Sequence, residues 1–330
     1  MRPSRRLRAT IIGEESNLET VKLGNTGLEV SAMGLGCGGH SRLGLSYGKT
    51  DAEAAAVVRR AADLGVTLID TAEMYGTETA VGLGIAGLPR EKLTLCTKAA
   101  VDWQGRRGTA AELEERLNAS LRRLGTDSVD VYQLHGVSVD EYAYCREELV
   151  PAMLRLREQG KIRYLGITEA FIGDPGHAML SQAVRDGCWS VMMVGFNLLN
   201  PSARSRVLEQ TREKGIGTLD MFAVRRALSR PEALRELVAD LVAQGQVDAD
   251  GLEIDDPLGW LVREGHAASI PEAAYRFCRH EPGIDVVLSG TGNAEHLEQN
   301  ARSINAGPLS PEAVARLGRL FGRVDSVTGN

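Results

Sequence analysis

Four residues of types that move protons lie where short apolar runs stop. Val66 to Ile69 ends in Asp70, and Tyr75 follows beside Gly76. Leu93 to Thr97 ends at Lys98, and Val129 to Leu134 ends at His135. A phenol with an ordinary pKa of about 10 donates poorly at neutral pH. A lysine cation within reach favours the phenolate, and a drop of about three units needs roughly 4 kcal/mol of differential interaction. A buried Lys98–Asp70 pair is expected to supply it, with the carboxylate keeping the ammonium charged. A neutral His135 has a hydrogen bond to offer a substrate oxygen. Together the four make a general acid beside a carbonyl-oxygen site, suited to reducing C=O or oxidising an alcohol. Singly, each has a plainer role: a turn aspartate, a rim tyrosine, a solvated lysine, a structural histidine. Those roles do not account for all four at the ends of three successive strands.

Alternating strands and helices must position these groups. Thr50 with Glu53 forms a capping box. It opens a helix through Leu64, with Ala54, Val57, Val58, Ala61 and Leu64 on one stripe. Thr109 with Glu112 opens another, which carries Leu113, Leu117, Leu121 and Leu124 and ends at Gly125. Further helices are predicted over about 77–83, 150–159, 178–185, 201–214 and 271–278, and a final one from Ser310. Strands are predicted over about 30–35, 162–168, 190–196, 216–221 and 286–288. With the three strands above, these make eight strand–helix units. Continuous apolar strands suit a parallel sheet covered on both faces, either an open doubly wound sheet or a closed (β/α)8 barrel. Gly34 to Gly39 lacks the Gly-x-Gly-x-x-Gly register of a Rossmann turn. The reactive residues also crowd one mouth, so the prediction is a (β/α)8 TIM barrel. A β-hairpin at Val21–Val30, turning at Asn25 and Gly27, is expected to cap its floor. A long insertion after strand 7 is expected at about 222–269. One barrel domain is expected over residues 20–330, behind a flexible polar lead-in at 1–19.

The composition sets bounds on function. The 330 residues are 43% hydrophobic and 25% charged, as in a globular protein with an ample core. A net charge of −6 argues against nucleic acid as the partner and for small-molecule chemistry. Five cysteines without metal-type spacing, and no apolar segment behind the basic Met1–Arg8, point to a reducing cytoplasm. No run approaches the roughly 18–20 apolar residues of a membrane helix. Six histidines, none spaced His-x-His, weigh against a metal-dependent barrel hydrolase, and no metal is expected.

Asp70-Thr71-Ala72-Glu73-Met74-Tyr75-Gly76, with Thr97-Lys98 and Leu134-His135, resembles the aldo-keto reductases. So do Leu23–Val30 with Gly34-Leu35-Gly36, the stretch Gly160–Ile167, Asn197-Leu198-Leu199-Asn200, and Gly292–Asn300. The resemblance runs from about residue 20 to 320. It implies a barrel that binds NADP(H) or NAD(H) across its mouth and transfers hydride between nicotinamide C4 and a carbonyl carbon. Tyr75 would protonate the oxygen, Lys98 and Asp70 would tune Tyr75, and His135 would orient an aldehyde, ketone or sugar-type substrate.

The cofactor positions depart from the family pattern. Ser-Asn, which holds the carboxamide, is replaced by Thr168-Glu169, and Glu169 is expected to take over that contact. A Gln three residues before a stacking Tyr is replaced by Met193 and Phe196. Phe196 is expected to stack on the nicotinamide; Met193 makes no comparable hydrogen bond. Ser-Pro-Leu after the seventh strand is replaced by Phe222-Ala223-Val224, and Arg225 and Arg226 follow as candidate phosphate clamps. The resemblance also implies contacts at Gly36, at Ser289, Gly290, Thr291 and Gly292, and at His296, Gln299 and Asn300. NADP-preferring members carry a Lys or Arg near Gly290 or Gly292 and an Arg near His296, and neither is present. NADP(H) is expected on family prevalence, with NAD(H) close behind. Trp103 is the first candidate for the substrate wall, followed by Tyr142, Tyr144, Phe171 and Phe222. The altered carboxamide contacts leave an alternative, a nicotinamide-sensing regulatory subunit resembling the potassium-channel β subunits of the family.

Overall fold

A computed structural model describes residues 18–330. The lead-in expected over 1–19 lies outside the described residues except for its last two. Leu18 is buried, and the Glu19 carboxylate meets Arg279 at 2.6 Å. Strands β1 (Thr20–Lys22) and β2 (Glu29–Ser31) then pair antiparallel, with Val21 opposite Val30. Next come β3 (Met33–Gly36), α1 (Asp51–Asp63), β4 (Leu68–Asp70), α2 (Glu78–Ile85) and β5 (Thr94–Ala100). A small hairpin of β6 (Asp102–Trp103) and β7 (Arg106–Arg107) stands beyond β5. The alternation continues through α3 (Ala110–Leu124), β8 (Val129–Val137), α4 (Val139–Tyr144), α5 (Val150–Glu158) and β9 (Ile162–Glu169). It runs on through α6 (Ala178–Ala183), β10 (Val191–Gly195), α7 (Glu209–Lys214) and β11 (Gly217–Met221). The insertion holds α8 (Arg226–Ser229), α9 (Pro231–Ala243) and α10 (Trp260–Arg263). The chain closes with α11 (Ile270–Arg279), β12 (Val286–Ser289), α12 (Ala294–Asn305) and α13 (Pro311–Phe321).

Eight parallel strands close into a barrel in the order β3-β4-β5-β8-β9-β10-β11-β12, which is the (β/α)8 fold the sequence predicts. Successive side chains on a strand point to opposite faces. Leu68, Cys96, Val131, Val191, Met193, Leu219 and Val286 therefore fill the barrel, and Leu23, Leu28 and Val30 of the hairpin join them to close its floor. Met33, Ile69, Leu95, Tyr132, Ile167, Met192 and Val287 point outward and pack under the helices. Both capping boxes form, at Thr50/Glu53 and at Thr109/Glu112. The predicted stripes of α1 and α3 are buried, apart from Leu64 at the C-terminal end of α1, which is half-buried.

The helix predicted at about 150–159 begins earlier, at Val139. Ser138 and Glu141 supply its capping box, and a π turn at Cys145–Leu149 joins α4 to α5. Pro151 reads as a helix start because proline has no N–H to donate. The wide turn just before it lets one helical run continue past it. Among the described residues no helix is long and apolar enough to cross a membrane.

Candidate active site

Asp70 is the last residue of β4 and faces the barrel interior, as Leu68 does two residues earlier. Lys98 on the next strand is fully buried. Its Nζ lies 2.6 Å from Asp70 Oδ2 and 2.8 Å from the Thr71 carbonyl oxygen. Gln133 Nε2 donates to the other oxygen, Asp70 Oδ1, at 3.2 Å. Burial pushes Asp70 up, against the pull of Lys98. Burial also drags Lys98 down, but Asp70 and Tyr75 outweigh it and hold the ammonium above the ordinary lysine range. Three hydrogen bonds that suit a cation and a carboxylate fit the ionised pair.

Tyr75 closes a 3-10 turn, Glu73–Tyr75, directly after β4. Its ring rests against the bare Cα of Gly38, where a Cβ would stand 2.6 Å from Cε2 and Cζ. Lys98 Nζ lies 5.0 Å from the ring centroid. The hydroxyl lies 3.1 Å from His135 Nε2, and the two rings meet edge to face at 5.2 Å. The sequence leads to an expected depression of the tyrosine pKa by Lys98. The site does otherwise: burial raises Tyr75 by more than Lys98 lowers it. His135 is pulled down to about 3 by burial and by the charges of Lys98 and Arg116, so the imidazole is neutral. What results is a phenol that keeps its proton, a neutral imidazole beside it, and a buried cation beneath.

Arg116 of α3 reaches this rim. It pairs with Glu73, with Nε 3.0 Å from Oε2, and lies 4.4 Å over the ring of Trp103 on β6. Trp103 thus stands half-buried beside the Lys98 strand, where the sequence places a substrate wall. Tyr142 does not belong to that wall. It is fully buried on α4, and its hydroxyl donates to Asp186 at 2.6 Å. Tyr144 donates to the Gly108 carbonyl.

Two of the expected cofactor contacts face away from the mouth. Thr168 points inward and its Oγ1 accepts from Gly136 N at 2.6 Å. Its neighbour Glu169 must point outward by strand alternation. The carboxylate is fully buried there, accepts from Gly195 N at 2.7 Å, and meets His177 Nδ1 at 3.0 Å. It is not available to a carboxamide. Phe196, three residues from the inward Met193, likewise faces outward. It is buried and stacks on Phe277 at 5.6 Å. The inward position at the mouth is Gly195, and the ring of Phe171 fills the space its side chain would need. Phe171 stacks between His177 at 5.2 Å and Phe222 at 6.0 Å. The Arg225 guanidinium covers Phe222 at 3.9 Å.

The remaining candidates are placed as follows. Gly36 and Gly290 touch backbone to backbone; a Cβ on Gly290 would stand 2.5 Å from the Gly36 oxygen. Ser289 is buried and faces outward, where it accepts from Asn300 Nδ2 at 2.9 Å and meets Tyr275 Oη at 3.1 Å. Thr291 Oγ1 accepts from Asn293 N, next to Gly292. His296 and Gln299 are exposed on α12, and Arg226 is exposed on α8. Sequence reasoning passed over Gln133 and Gly195. Both share strand parity with a residue it did name, His135 and Met193, so alternation was the signal for them. Nothing local marks Arg116, His177 or Gly38.

A buried acid–base cluster at the C-terminal ends of parallel strands is where barrels of this class carry their chemistry. The Aldo/keto reductase family profile matches residues 33–320, and the chain belongs to that family of oxidoreductases. It is 27% identical over 307 residues to the uncharacterized oxidoreductase YqkF of Bacillus subtilis (strain 168), covering 90% of this chain and 94% of that one. It is also 27% identical over 306 residues to the Glycine max protein named "Probable aldo-keto reductase 1", covering 87% and 84%. The holo structure of aldo-keto reductase AKR11C1 from Bacillus halodurans shares the fold, with a TM-score of 0.69 and 24% identity over 91% of this chain and 96% of that one.

Proposed function

We propose that the chain is an NAD(P)(H)-dependent oxidoreductase. It reduces an aldehyde or ketone, or oxidises the matching alcohol or sugar, with Tyr75 as general acid and base. The observation that carries this reading is the Tyr75 hydroxyl 3.1 Å from a neutral His135, above the buried Lys98–Asp70 pair. The nicotinamide, when bound, supplies hydride donation or acceptance. The chain's own residues handle the oxygen. A phenol raised above its ordinary value holds its proton through the neutral range, the state needed to give it to a carbonyl oxygen that is gaining negative charge. Lys98 stabilises the phenolate left behind, and His135 directs the oxygen toward Tyr75. Asp70 and Gln133 hold Lys98 in place.

The residues at the mouth fit such a cofactor. Arg225 Nη1 is buried without a hydrogen-bond partner among the described residues, and burial pulls the group below the ordinary arginine range. An uncompensated cation suits a pyrophosphate. Phe222 offers apolar ring surface, and the backbones of Gly36 and Gly290 allow close approach. The Tyr75→Phe variant tests the assignment. It is expected to lower kcat by about 10²- to 10⁴-fold while nicotinamide binding persists. Near wild-type rates on several carbonyl compounds would defeat the role given to Tyr75.

A second reading, a cofactor-sensing regulatory subunit, draws on the outward turn of Glu169 and Phe196. Single-turnover oxidation of bound NADPH or NADH by 4-nitrobenzaldehyde separates the two. Oxidation favours the enzyme, and none with any carbonyl compound tried favours the sensor.

A further inference from the structure

The β6–β7 hairpin is a small, separate piece of the mouth. Its strands turn through Gln104 and Gly105, both at positive φ, 52° and 79°. A two-stranded hairpin is marginally stable by itself, so its place is set by what it is tied to. Two tethers lie on its outer side. Arg106 Nη1 donates to Glu112 Oε2 at 3.0 Å, at the start of α3, and Arg107 Nη2 donates to the Asp140 carbonyl oxygen at 2.9 Å, on α4. Both arginines are exposed, and an ion pair at that exposure contributes little.

The third tether is buried. The Arg116 guanidinium lies 4.4 Å over the Trp103 ring. Gly108 packs against both: a Cβ there would stand 3.4 Å from Arg116 Nη1 and 3.4 Å from Trp103 Cβ. The same guanidinium grips the turn that carries Tyr75. Its Nε donates to Glu73 Oε2 at 3.0 Å and its Nη2 to Oε1, a two-point pair whose side chains are only 7% and 10% exposed. Glu73 Oε1 also accepts from Ala100 N at 3.4 Å, two residues beyond Lys98 on β5. One planar group thus meets the hairpin with its face and the Tyr75 turn with its edge. Its charge also adds to burial and to Lys98 in keeping His135 neutral.

We infer that Arg116 is a positioning residue: it fixes the β6–β7 hairpin and the Tyr75 turn at one spacing, and through Trp103 it sets how tightly a carbonyl substrate is held beside the phenol. This rests on the oxidoreductase reading above. A lysine in its place keeps a cation for Glu73 but has no planar face to lay on an indole. The test measures NADPH-dependent reduction of 4-nitrobenzaldehyde, and tryptophan emission, for the full-length wild type, Arg116→Lys, Trp103→Leu and the double variant. Arg116→Lys is expected to raise KM about 3- to 10-fold, more than it lowers kcat. Trp103→Leu reaches the same contact from its half-buried side and is expected to raise KM by at least as much. The double variant is expected to be no worse than Trp103→Leu, because the second change removes a contact already lost. The emission lost on Trp103→Leu separates Trp103 from Trp189 and Trp260. In the Arg116→Lys background that component is expected to shift to the red and to be quenched more readily by acrylamide. Additive KM effects, a fall in kcat alone, or a Trp103 component equal in both backgrounds would overturn the assignment. A wild type that turns over no carbonyl compound with NADPH or NADH would bring down the oxidoreductase reading, and the emission comparison would still decide whether Arg116 fixes the hairpin.

Discussion

The barrel mouth has two unlike halves. On the side of β4, β5 and β8, charged and polar groups point inward and bond to one another: Asp70, Lys98, Gln133, and Tyr75 with His135. On the side of β9, β10 and β11, the buried carboxylates Glu169 and Asp220 point outward. Glu169 is sealed behind the sheet with His177, Thr168, Gly195 and the Phe171 ring are buried, and the half-buried Phe222 ring stacked on Phe171 is the aromatic surface left at the rim. The first half gathers its charges inside the barrel, and it is the half we propose to handle the proton. The second offers apolar surface; its buried carboxylate Glu169 bonds within the fold, and its rim cation, Arg225, is the one we propose to meet the cofactor. A carboxylate on a barrel strand is thus no guide to function until the face it occupies is known.

The largest effect that would sharpen this contrast comes from Lys98→Met. It leaves Asp70 buried without its cation, which costs about 3–5 kcal/mol for a broken buried pair. Urea unfolding should show that loss together with abolished turnover. A stable, active variant would mean that the inward half is not organised on this pair.

Glu169→Gln probes the opposite half. The amide keeps one acceptor for Gly195 N or His177 but presents a donor in place of the other, a loss of about 1–3 kcal/mol. Denaturant titration should report it while nicotinamide affinity stays unchanged. Weaker cofactor binding at unchanged stability would show Glu169 serving the mouth after all and dissolve the contrast.

The smallest effect, just below neutral pH, is a pH dependence of stability set by His135. Its folded value near 3 lies below the unfolded value of about 6.5, so between these the unfolded chain binds the extra proton. The contribution of His135 is fully present above about pH 6.5 and is lost as the pH falls toward 3. Unfolding free energies measured across this window should fall less steeply for His135→Asn than for the wild type. An identical slope would mean that the imidazole is not held neutral by its surroundings.

Much of the fold and of the candidate site was legible in the sequence. The runs ending in Asp70, Lys98 and His135 are local patterns, and each strand end is set by its own few residues. The side expected to hold a cofactor was legible only in part. Met193 and Phe196 differ by an odd number of positions, and Thr168 and Glu169 are adjacent. Alternation alone puts the members of each pair on opposite faces. The family pattern suggested contacts at Glu169 and Phe196, and strand geometry denies them. The helix start at Val139 was hidden because Pro151 is a stronger local signal than the capping box at Ser138.

By itself the sequence determined the eight-unit alternation, the capped helices, the hairpin plug and the identity of the four residues gathered at the candidate site. These follow from periodicities of 2 and about 3.6 residues and from short-range side-chain chemistry. Only the tertiary structure decided which buried group each charge meets. It gave Gln133 to Asp70, His177 to Glu169, Gly38 to the Tyr75 ring and the Gly292 carbonyl to Lys49. It also reversed the expected sense of the Tyr75 shift, because the cost of burying a phenolate exceeds what one lysine returns. Desolvation and partner choice depend on everything packed around a group, across separations as long as the 243 residues between Lys49 and Gly292, and no local pattern carries that information.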